Sequence, residues 1–384
     1  MTIVVTGGGS GGHITPILAV ASELKKINPD VSVVFIGAKG SPLVDVPAND
    51  PNIDTLYVVN AGKFRRYHGE GLSQLLDIHT QSLNVRDLFK TINGLWQSWR
   101  LLGKIKPSVV FTRGGFISVP VAVAAWIRGI PYVTHDSDST PSLANRIIAS
   151  MASKHAVALD PSMYPYPLDR TVRVGIPISS SYHEVNEKEL EGYRKELGLS
   201  GYKKMLFITG GGNGARVLNN IVKDNVGYLL KRYPDLVVVH VAGRKLDEKL
   251  SEEYDKILKK SDRKRVVVKD FVDDLYRYSG SADVIIARGG ATNLAEFAAQ
   301  KKPCIIIPSK QLIWNIKNAE SLAKQQAIVM LHEDQAEQEL RLASEVCRLL
   351  DSKKAREDLS KKIAHFYVQN AARRIAEILF ELAN

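Results

Sequence analysis

The chain has 384 residues, 45% of them hydrophobic and 24% charged, with a formal net charge of +11. That length predicts two domains, each able to bury a core of its own, and no run reaches the roughly 18 uncharged apolar residues that a membrane span needs. The positive balance asks for an anionic partner, and a phosphorylated substrate or an anionic membrane fits better than nucleic acid, because no nucleic-acid motif or aromatic platform is present.

Ile3-Val4-Val5 reads as a strand that breaks into Thr6-Gly7-Gly8-Gly9-Ser10-Gly11-Gly12-His13, followed by a helical pattern with Leu18, Val20, Ala21 and Leu24 as core positions. A strand starting at residue 3 leaves no room for a signal peptide, so the expected location is the cytoplasm. Glycines at a strand's end let the backbone approach a ligand, and the N–H groups opening the next helix can meet a phosphate. Residues 31–36 read as the second strand, solidly apolar but for Ser32, as in a parallel sheet. It runs into Gly37-Ala38-Lys39, where a nicotinamide enzyme would want an acid for its ribose, and that class is disfavoured.

Between Lys63 and Lys106 eight basic residues stand against three acidic ones. Lys63-Phe64-Arg65-Arg66-Tyr67 is a basic, aromatic loop, and residues 88–102 read as a helix carrying Leu95, Trp96, Trp99 and Leu102 beside Lys90 and Arg100. Tryptophans and cations at helical spacing suit a membrane interface, and equally an amphipathic helix packed on the sheet with a solvated basic face. Residues 107–111 are a buried strand ending in Thr112-Arg113-Gly114-Gly115-Phe116, followed by an apolar helix through Trp126. Residues 131–134 are the next strand, with His135-Asp136-Ser137-Asp138 at its end and Asn145-Arg146 in the helix beyond. Strand ends of this kind hold ligands in open α/β sheets, although a lone His135 also reads as a satisfied, partly buried histidine. After a strand at 154–159, Pro161, Pro165, Pro167 and Pro177 mark a loop-rich passage with the hinge near 170–184.

The second half repeats the alternation. A helix at 187–197 precedes a strand at 204–208, and Thr209-Gly210-Gly211-Gly212-Asn213-Gly214-Ala215-Arg216 then copies the Thr-Gly-Gly-Gly entry of Thr6. A helix at 219–231 and strands at 236–241, 265–269, 283–287 and 303–307 follow, the last of these being the final strand expected. Arg288-Gly289-Gly290-Ala291-Thr292-Asn293 and Leu294-Ala295-Glu296 stand behind the strand at 283–287. Everything after residue 307 reads as helical, ending in an amphipathic helix at 371–382. Cys304 and Cys347 supply neither a disulfide framework nor a metal set.

The expected fold is therefore α/β, two facing Rossmann-like doubly wound domains whose four glycine-rich strand ends open into one cleft. No Gly-Lys-Ser/Thr follows either loop, which argues against nucleotide hydrolysis of the Walker kind. Backbone donors and helix N-termini suit a pyrophosphate without metal or lysine. Glu296 can accept the hydroxyls of a ribose, or it is an acid favoured by the helix dipole. His13, at a helix N-terminus that lowers its pKa, can take a proton from a hydroxyl nucleophile, or it only caps the helix.

Gly8 to His13, Gly114-Gly115-Phe116-Ile117-Ser118-Val119-Pro120, His135-Asp136 with Leu143-Ala144-Asn145, Gly210 to Arg216, and Ala291 to Glu296 with Asn318-Ala319 resemble, in order, the motifs of the MurG family. These are membrane-associated N-acetylglucosaminyltransferases of peptidoglycan synthesis, and the resemblance spans nearly the whole chain. It implies the glycosyltransferase B fold, with an N-terminal acceptor- and membrane-facing domain at 1–175, a UDP-sugar domain at 185–365 and a final helix at 366–384 crossing back. It implies metal-free, inverting transfer from UDP-N-acetylglucosamine to the 4-hydroxyl of a muramoyl-pentapeptide sugar on undecaprenyl pyrophosphate, at the cytoplasmic face of the membrane. On the donor side it points to Gly212, Asn213, Arg216, the Val272 backbone against uracil, Ala291, Thr292, Asn293, Leu294 and Ala295 near the diphosphate, Glu296 on the ribose, and Asn315. On the acceptor side it points to Ser10, Gly11, Gly12, Gly114, Gly115, His135, Asp138 and Asn145, with His13 as the catalytic base. The family's His-Glu-Gln-Asn is His135-Asp136-Ser137-Asp138 here, the Gly-Asn-Pro-Val-Arg of its hinge is Gly175-Ile176-Pro177-Ile178-Ser179, its donor-reading Gln-Gln is Trp314-Asn315, and the serine of its second loop is Gly212. Within the same fold the alternatives are transfer to another lipid acceptor and a UDP-N-acetylglucosamine 2-epimerase. A non-catalytic sugar-nucleotide-binding protein is a third class.

Overall fold

A computed structural model of the chain describes every residue except 9–10, 42, 64–76, 139, 212–213, 244–245 and 384. The chain divides into two units, the first made of Met1–Ser179 with Gln369–Asn384, the second of Ser180–Val368.

The first unit is built on seven parallel strands: β1 (Thr2–Thr6), β2 (Ser32–Ala38), β3 (Thr55–Val59), β4 (Val109–Thr112), β5 (Tyr132–Asp136), β6 (Lys154–Val157) and β7 (Thr171–Arg173). Their order is β3-β2-β1-β4-β5-β6-β7, so the winding reverses between β1 and β4. Ile3, Val4 and Val5 are fully buried because helices cover both faces of a parallel sheet. On one face Ile17, Val20 and Leu24 of the helix Gly11–Ile27 and Ile375 and Leu379 of the helix Ala371–Ala383 pack with Ile3, Val5 and Phe111. On the other, Val4, Val34 and Val110 meet Leu102 of the helix Ile78–Ile105 and Val121 of the helix Ser118–Ile127. Each such side chain contributes about 1.5–3 kcal/mol by leaving water.

The second unit has six parallel strands: β8 (Lys204–Thr209), β9 (Leu236–Val241), β10 (Val266–Lys269), β11 (Val284–Ala287), β12 (Cys304–Ile306) and β13 (Val329–Met330). They lie in the order β10-β9-β8-β11-β12-β13, and the winding reverses between β8 and β11. Both sheets place their ligand-competent crevice where the order reverses, outside the C-terminal ends of the two strands there. The register matches on each side, with Thr6 opposite Thr112 and Thr209 opposite Ala287.

Three strands depart from the sequence reading. β13 follows the strand expected to be last and interrupts the supposedly all-helical remainder; its two residues are too few to show a period. β7 lies in the passage read as proline-marked loop, an edge strand with one buried residue in three. β3 was not foreseen, being half exposed and lacking a solid apolar run. The tryptophan-bearing helix also starts ten residues before position 88. Asp77 caps it by accepting from the Thr80 N–H at 3.1 Å, and Asn60 and Gly62 bind Gln97, Asn93 and Thr91 on its inner side.

Candidate active site

In the first unit the loops after β1 and β4 touch. A Cβ on Gly115 would stand 2.4 Å from the Gly8 carbonyl oxygen, and the φ of +84° there is one that only glycine adopts cheaply, so this approach requires a glycine. Ser118 Oγ donates to the Gly114 carbonyl at 2.7 Å and fixes the turn into the next helix. Gly11, Gly12 and His13 form the first turn of the helix Gly11–Ile27. Its position buries His13 in part, and burial first, then the positive charge of Arg113, lowers the imidazole's pKa to about 3. His13 is therefore neutral at pH 7, the form a general base requires. Ser10 lies outside the described residues.

The β5 end gathers the polar cluster. His135 is fully buried, with Nε2 on the Gly175 carbonyl at 2.9 Å, which makes that nitrogen the protonated one. Burial first, and Arg113 second, hold its pKa well below the usual histidine value, so it stays neutral. Asn145 donates to the His135 carbonyl at 2.9 Å, and its Oδ1 sits 3.2 Å from where a Gly114 Cβ would be. Asp136 accepts from the Tyr166 hydroxyl at 2.7 Å and from the Ser142 N–H, while burial pushes its carboxyl up. Asp138 is half-buried, its carbonyl receiving the Tyr164 hydroxyl at 3.1 Å. Gly114, Gly115, His135 and Asn145 are thus brought together, with the His135 imidazole turned to Gly175.

In the second unit the β8 loop is tight: a Cβ on Gly214 would meet the Ala242 carbonyl at 2.3 Å. Gly212 and Asn213 lie outside the described residues, and Arg216 is exposed at the start of the helix Arg216–Arg232. Opposite stands the helix Ala291–Ala299, with Gly290 as its N-cap. Gly289 lies so close to Asn315 that a Cβ would be 2.5 Å from its carbonyl, and Asn318 donates to the Gly289 carbonyl at 3.2 Å. Ala291 and Thr292 open the helix at the crevice, where its positive end attracts phosphate. Leu294 and Ala295 are core residues, offering a ligand nothing but backbone. Asn293 Oδ1 is 3.9 Å from the Cβ positions of both Gly211 and Gly290, so its amide lies beside both glycine loops.

Glu296 is 6% exposed and receives Asn293 Nδ2 at 2.8 Å and the hydroxyl of Tyr182. Burial raises its carboxyl to about 7, against the two hydrogen bonds. Val272 is half-buried on the same core. Sequence reasoning missed Tyr182 and Arg113. Tyr182, in the hinge passage, reaches Glu296 only through the fold and carries no motif. Arg113 had a signal, a cation directly preceding a glycine pair at a strand end. No group of three or more His, Cys, Asp or Glu able to hold a metal occurs among the described residues.

Residues 3–157 match the model of the glycosyltransferase family 28 N-terminal domain and residues 205–376 that of the family's C-terminal domain. A Clostridium kluyveri protein named UDP-N-acetylglucosamine--N-acetylmuramyl-(pentapeptide) pyrophosphoryl-undecaprenol N-acetylglucosamine transferase is 35% identical over 308 residues, 80% of this chain and 78% of the relative. A Flavobacterium psychrophilum protein of the same name is 30% identical over 384 residues, 99% and 97% of the two chains. Among solved structures, Acinetobacter baumannii MurG gives a TM-score of 0.69 at 20% identity, covering 99% of both chains. A UDP-GlcNAc 2-epimerase from Neisseria meningitidis bound to UDP-GlcNAc gives 0.65 at 14% identity, covering 99% of this chain and 100% of that one. At these identities the two solved structures speak for the fold alone.

Proposed function

The chain belongs to glycosyltransferase family 28 and within it to the MurG family, and on that premise we propose that it moves N-acetylglucosamine from UDP-N-acetylglucosamine to the 4-hydroxyl of undecaprenyl-pyrophosphoryl-N-acetylmuramoyl-pentapeptide in peptidoglycan synthesis. What carries the reading is the match, at 30 to 35% identity over 80 to 99% of the chain, to relatives named for that one activity. The epimerase reading has only a likeness of fold at 14% identity behind it. The site chemistry suits transfer. Glu296 holds the ribose, and the N-terminus of the helix Ala291–Ala299 meets the diphosphate. Neutral His13 takes the proton of the 4-hydroxyl as its oxygen bonds to the sugar's C1. The C1–phosphate bond breaks with its electron pair leaving on UDP, and the anomeric centre inverts. Because the helix end and backbone donors meet the leaving charge, no metal takes part in this account.

UDP release tests it. UDP-N-acetylglucosamine gives UDP only when a short-chain muramoyl-pentapeptide pyrophosphoryl lipid is added, and EDTA leaves the rate unchanged. Release without the lipid, or abolished by EDTA, contradicts the proposal.

The chain is further proposed to work against an anionic membrane surface. Among the described residues no helix is long and apolar enough to cross a membrane. The helix Ile78–Ile105 instead exposes Val85, Leu88, Phe89, Ile92, Trp96 and Trp99 on one face, and Trp126 and Ile127 are exposed on the helix packed beside it. Arg100 lies over the Trp96 ring and Arg128 over the Trp99 ring, each 4.3 Å from the centroid. An exposed apolar face flanked by cations is how an interfacial helix meets anionic lipid; Arg65 and Arg66 lie outside the described residues. Reversing Lys90 and Arg100 to Glu lowers binding to vesicles containing anionic lipid by about tenfold or more at low salt. Replacing Phe89 and Trp96 by Asp lowers it at any salt. Flotation unaffected by both would contradict membrane docking through this face.

A further inference from the structure

Resting on the transfer reading, we propose that Arg113 is an anion-binding residue whose guanidinium grips a phosphate of the acceptor where the loops after β1 and β4 meet. Arg113 is 7% exposed, directly after β4, and its Cβ lies 3.3 Å from the Cβ position of Gly7, in the β1 loop. Its Nη2 donates to Ser137 Oγ, and its Nε has no hydrogen-bond partner. No carboxylate forms an ion pair with it among the described residues. Asp136 and Asp138 act on it only through longer-range attraction, and both Asp136 oxygens already receive hydrogen bonds, from Tyr166 and Ser142.

A buried guanidinium with a neutral partner and an empty N–H is a costly arrangement unless an anion completes it. The surroundings select the anion. Gly7 packs against the base of the Arg113 side chain without a side chain of its own, His13 in the first turn of the helix Gly11–Ile27 feels the guanidinium's charge, and a planar fork of donors matches phosphate oxygens. The same charge acts on His13 across the loop. An anion bound at Arg113 cancels that repulsion and strengthens His13 as a base at the moment the acceptor is seated. Arg113 thereby couples acceptor binding to proton removal.

Calorimetric titration of the UDP-saturated full chain with inorganic pyrophosphate reads this site without requiring transfer, because UDP fills the diphosphate site of the second unit. The wild type should bind saturably, Arg113→Met at least about tenfold more weakly, and Arg113→Lys, which keeps the charge and loses the fork, in between. UDP binding, made by the second unit, should be equal in all three, and an unchanged melting temperature serves as the control for folding. With the short-chain lipid acceptor, Arg113→Met should raise the acceptor KM by about tenfold or more and leave the donor KM alone. Equal pyrophosphate binding by wild type and Arg113→Met, or none by the wild type, overturns the proposal. Should the Met variant lose UDP binding by failing to fold, the Lys variant decides, and an unchanged pyrophosphate affinity there overturns it. Arg113-dependent pyrophosphate binding in a chain that transfers no sugar sinks the transfer reading and leaves the anion site standing. Transfer with an acceptor KM indifferent to Arg113 sinks the anion site alone.

Discussion

Replacing His13 with alanine lowers kcat by about a thousandfold, the range of one positioned general base, and leaves UDP binding unchanged. Retention of UDP binding is expected because His13 belongs to the first unit, whereas Glu296 and the helix Ala291–Ala299 belong to the second. The pH dependence separates this role from helix capping. With its pKa lowered to about 3, by burial first and Arg113 second, His13 is neutral throughout the ordinary working range. At saturating donor, kcat/KM for the acceptor therefore stays level from pH 8 down to about 5. A histidine of ordinary pKa would begin to lose activity below about 6.5. Turnover by His13→Ala close to wild type, with an unchanged melting temperature, leaves His13 no part in proton transfer.

Substituting Glu296 with glutamine weakens UDP-N-acetylglucosamine binding by about 10- to 100-fold, the worth of hydrogen bonds made by a charged group. The same residue makes donor binding depend on pH. Burial lifts its carboxyl to about 7 in the free protein, and in the proposed ribose contact the ionised form is the one that accepts both hydroxyls. Affinity for the donor therefore rises about tenfold from pH 6 to pH 8, with release of a proton, and Glu296→Gln abolishes both effects. UDP-N-acetylglucosamine is the right probe, because its diesterified pyrophosphate has no ionisation of its own in that window. Stability responds in the opposite sense. A carboxyl raised from 4.5 to about 7 contributes most below pH 4.5, and its contribution falls as pH climbs through 7, by roughly 3 kcal/mol in all. Urea titrations of wild type and Glu296→Gln between pH 4 and 8 check that sign. A pH-independent donor affinity in the wild type contradicts the ribose role.

The two glycine loops were legible in the sequence because a strand end, a glycine run and a helix pattern follow one another without interruption, and Thr209 repeats Thr6. Their placement at the two reversals of strand order was legible only as an analogy until β1 was seen beside β4 and β8 beside β11. Strands with solid apolar runs declared themselves. β3, β7 and β13 did not, since edge strands are short or half solvated, and neighbouring strands decide them more than their own residues do. Within the candidate site, Glu296 and His13 stand in motifs visible in the sequence, which is why both were candidates before the fold was seen. Tyr182 carried no local signal, and its contact with Glu296 spans more than a hundred residues of chain. The charge on Arg113 was visible in the sequence, but its burial and its vacant Nε belong to the tertiary structure. The tryptophan helix stood open between packing and membrane, and a periodicity alone serves either. The exposed face from Val85 to Trp99 is the observation on which the membrane proposal rests.

Product analysis tests the central claim most directly. After incubation of the full chain with UDP-N-acetylglucosamine and the short-chain muramoyl-pentapeptide pyrophosphoryl lipid, mass spectrometry and NMR of the recovered lipid should show one added N-acetylhexosamine, β-linked to oxygen 4 of the muramoyl sugar. An unmodified lipid alongside consumed donor, an α linkage, or free N-acetylmannosamine in place of the disaccharide would contradict it.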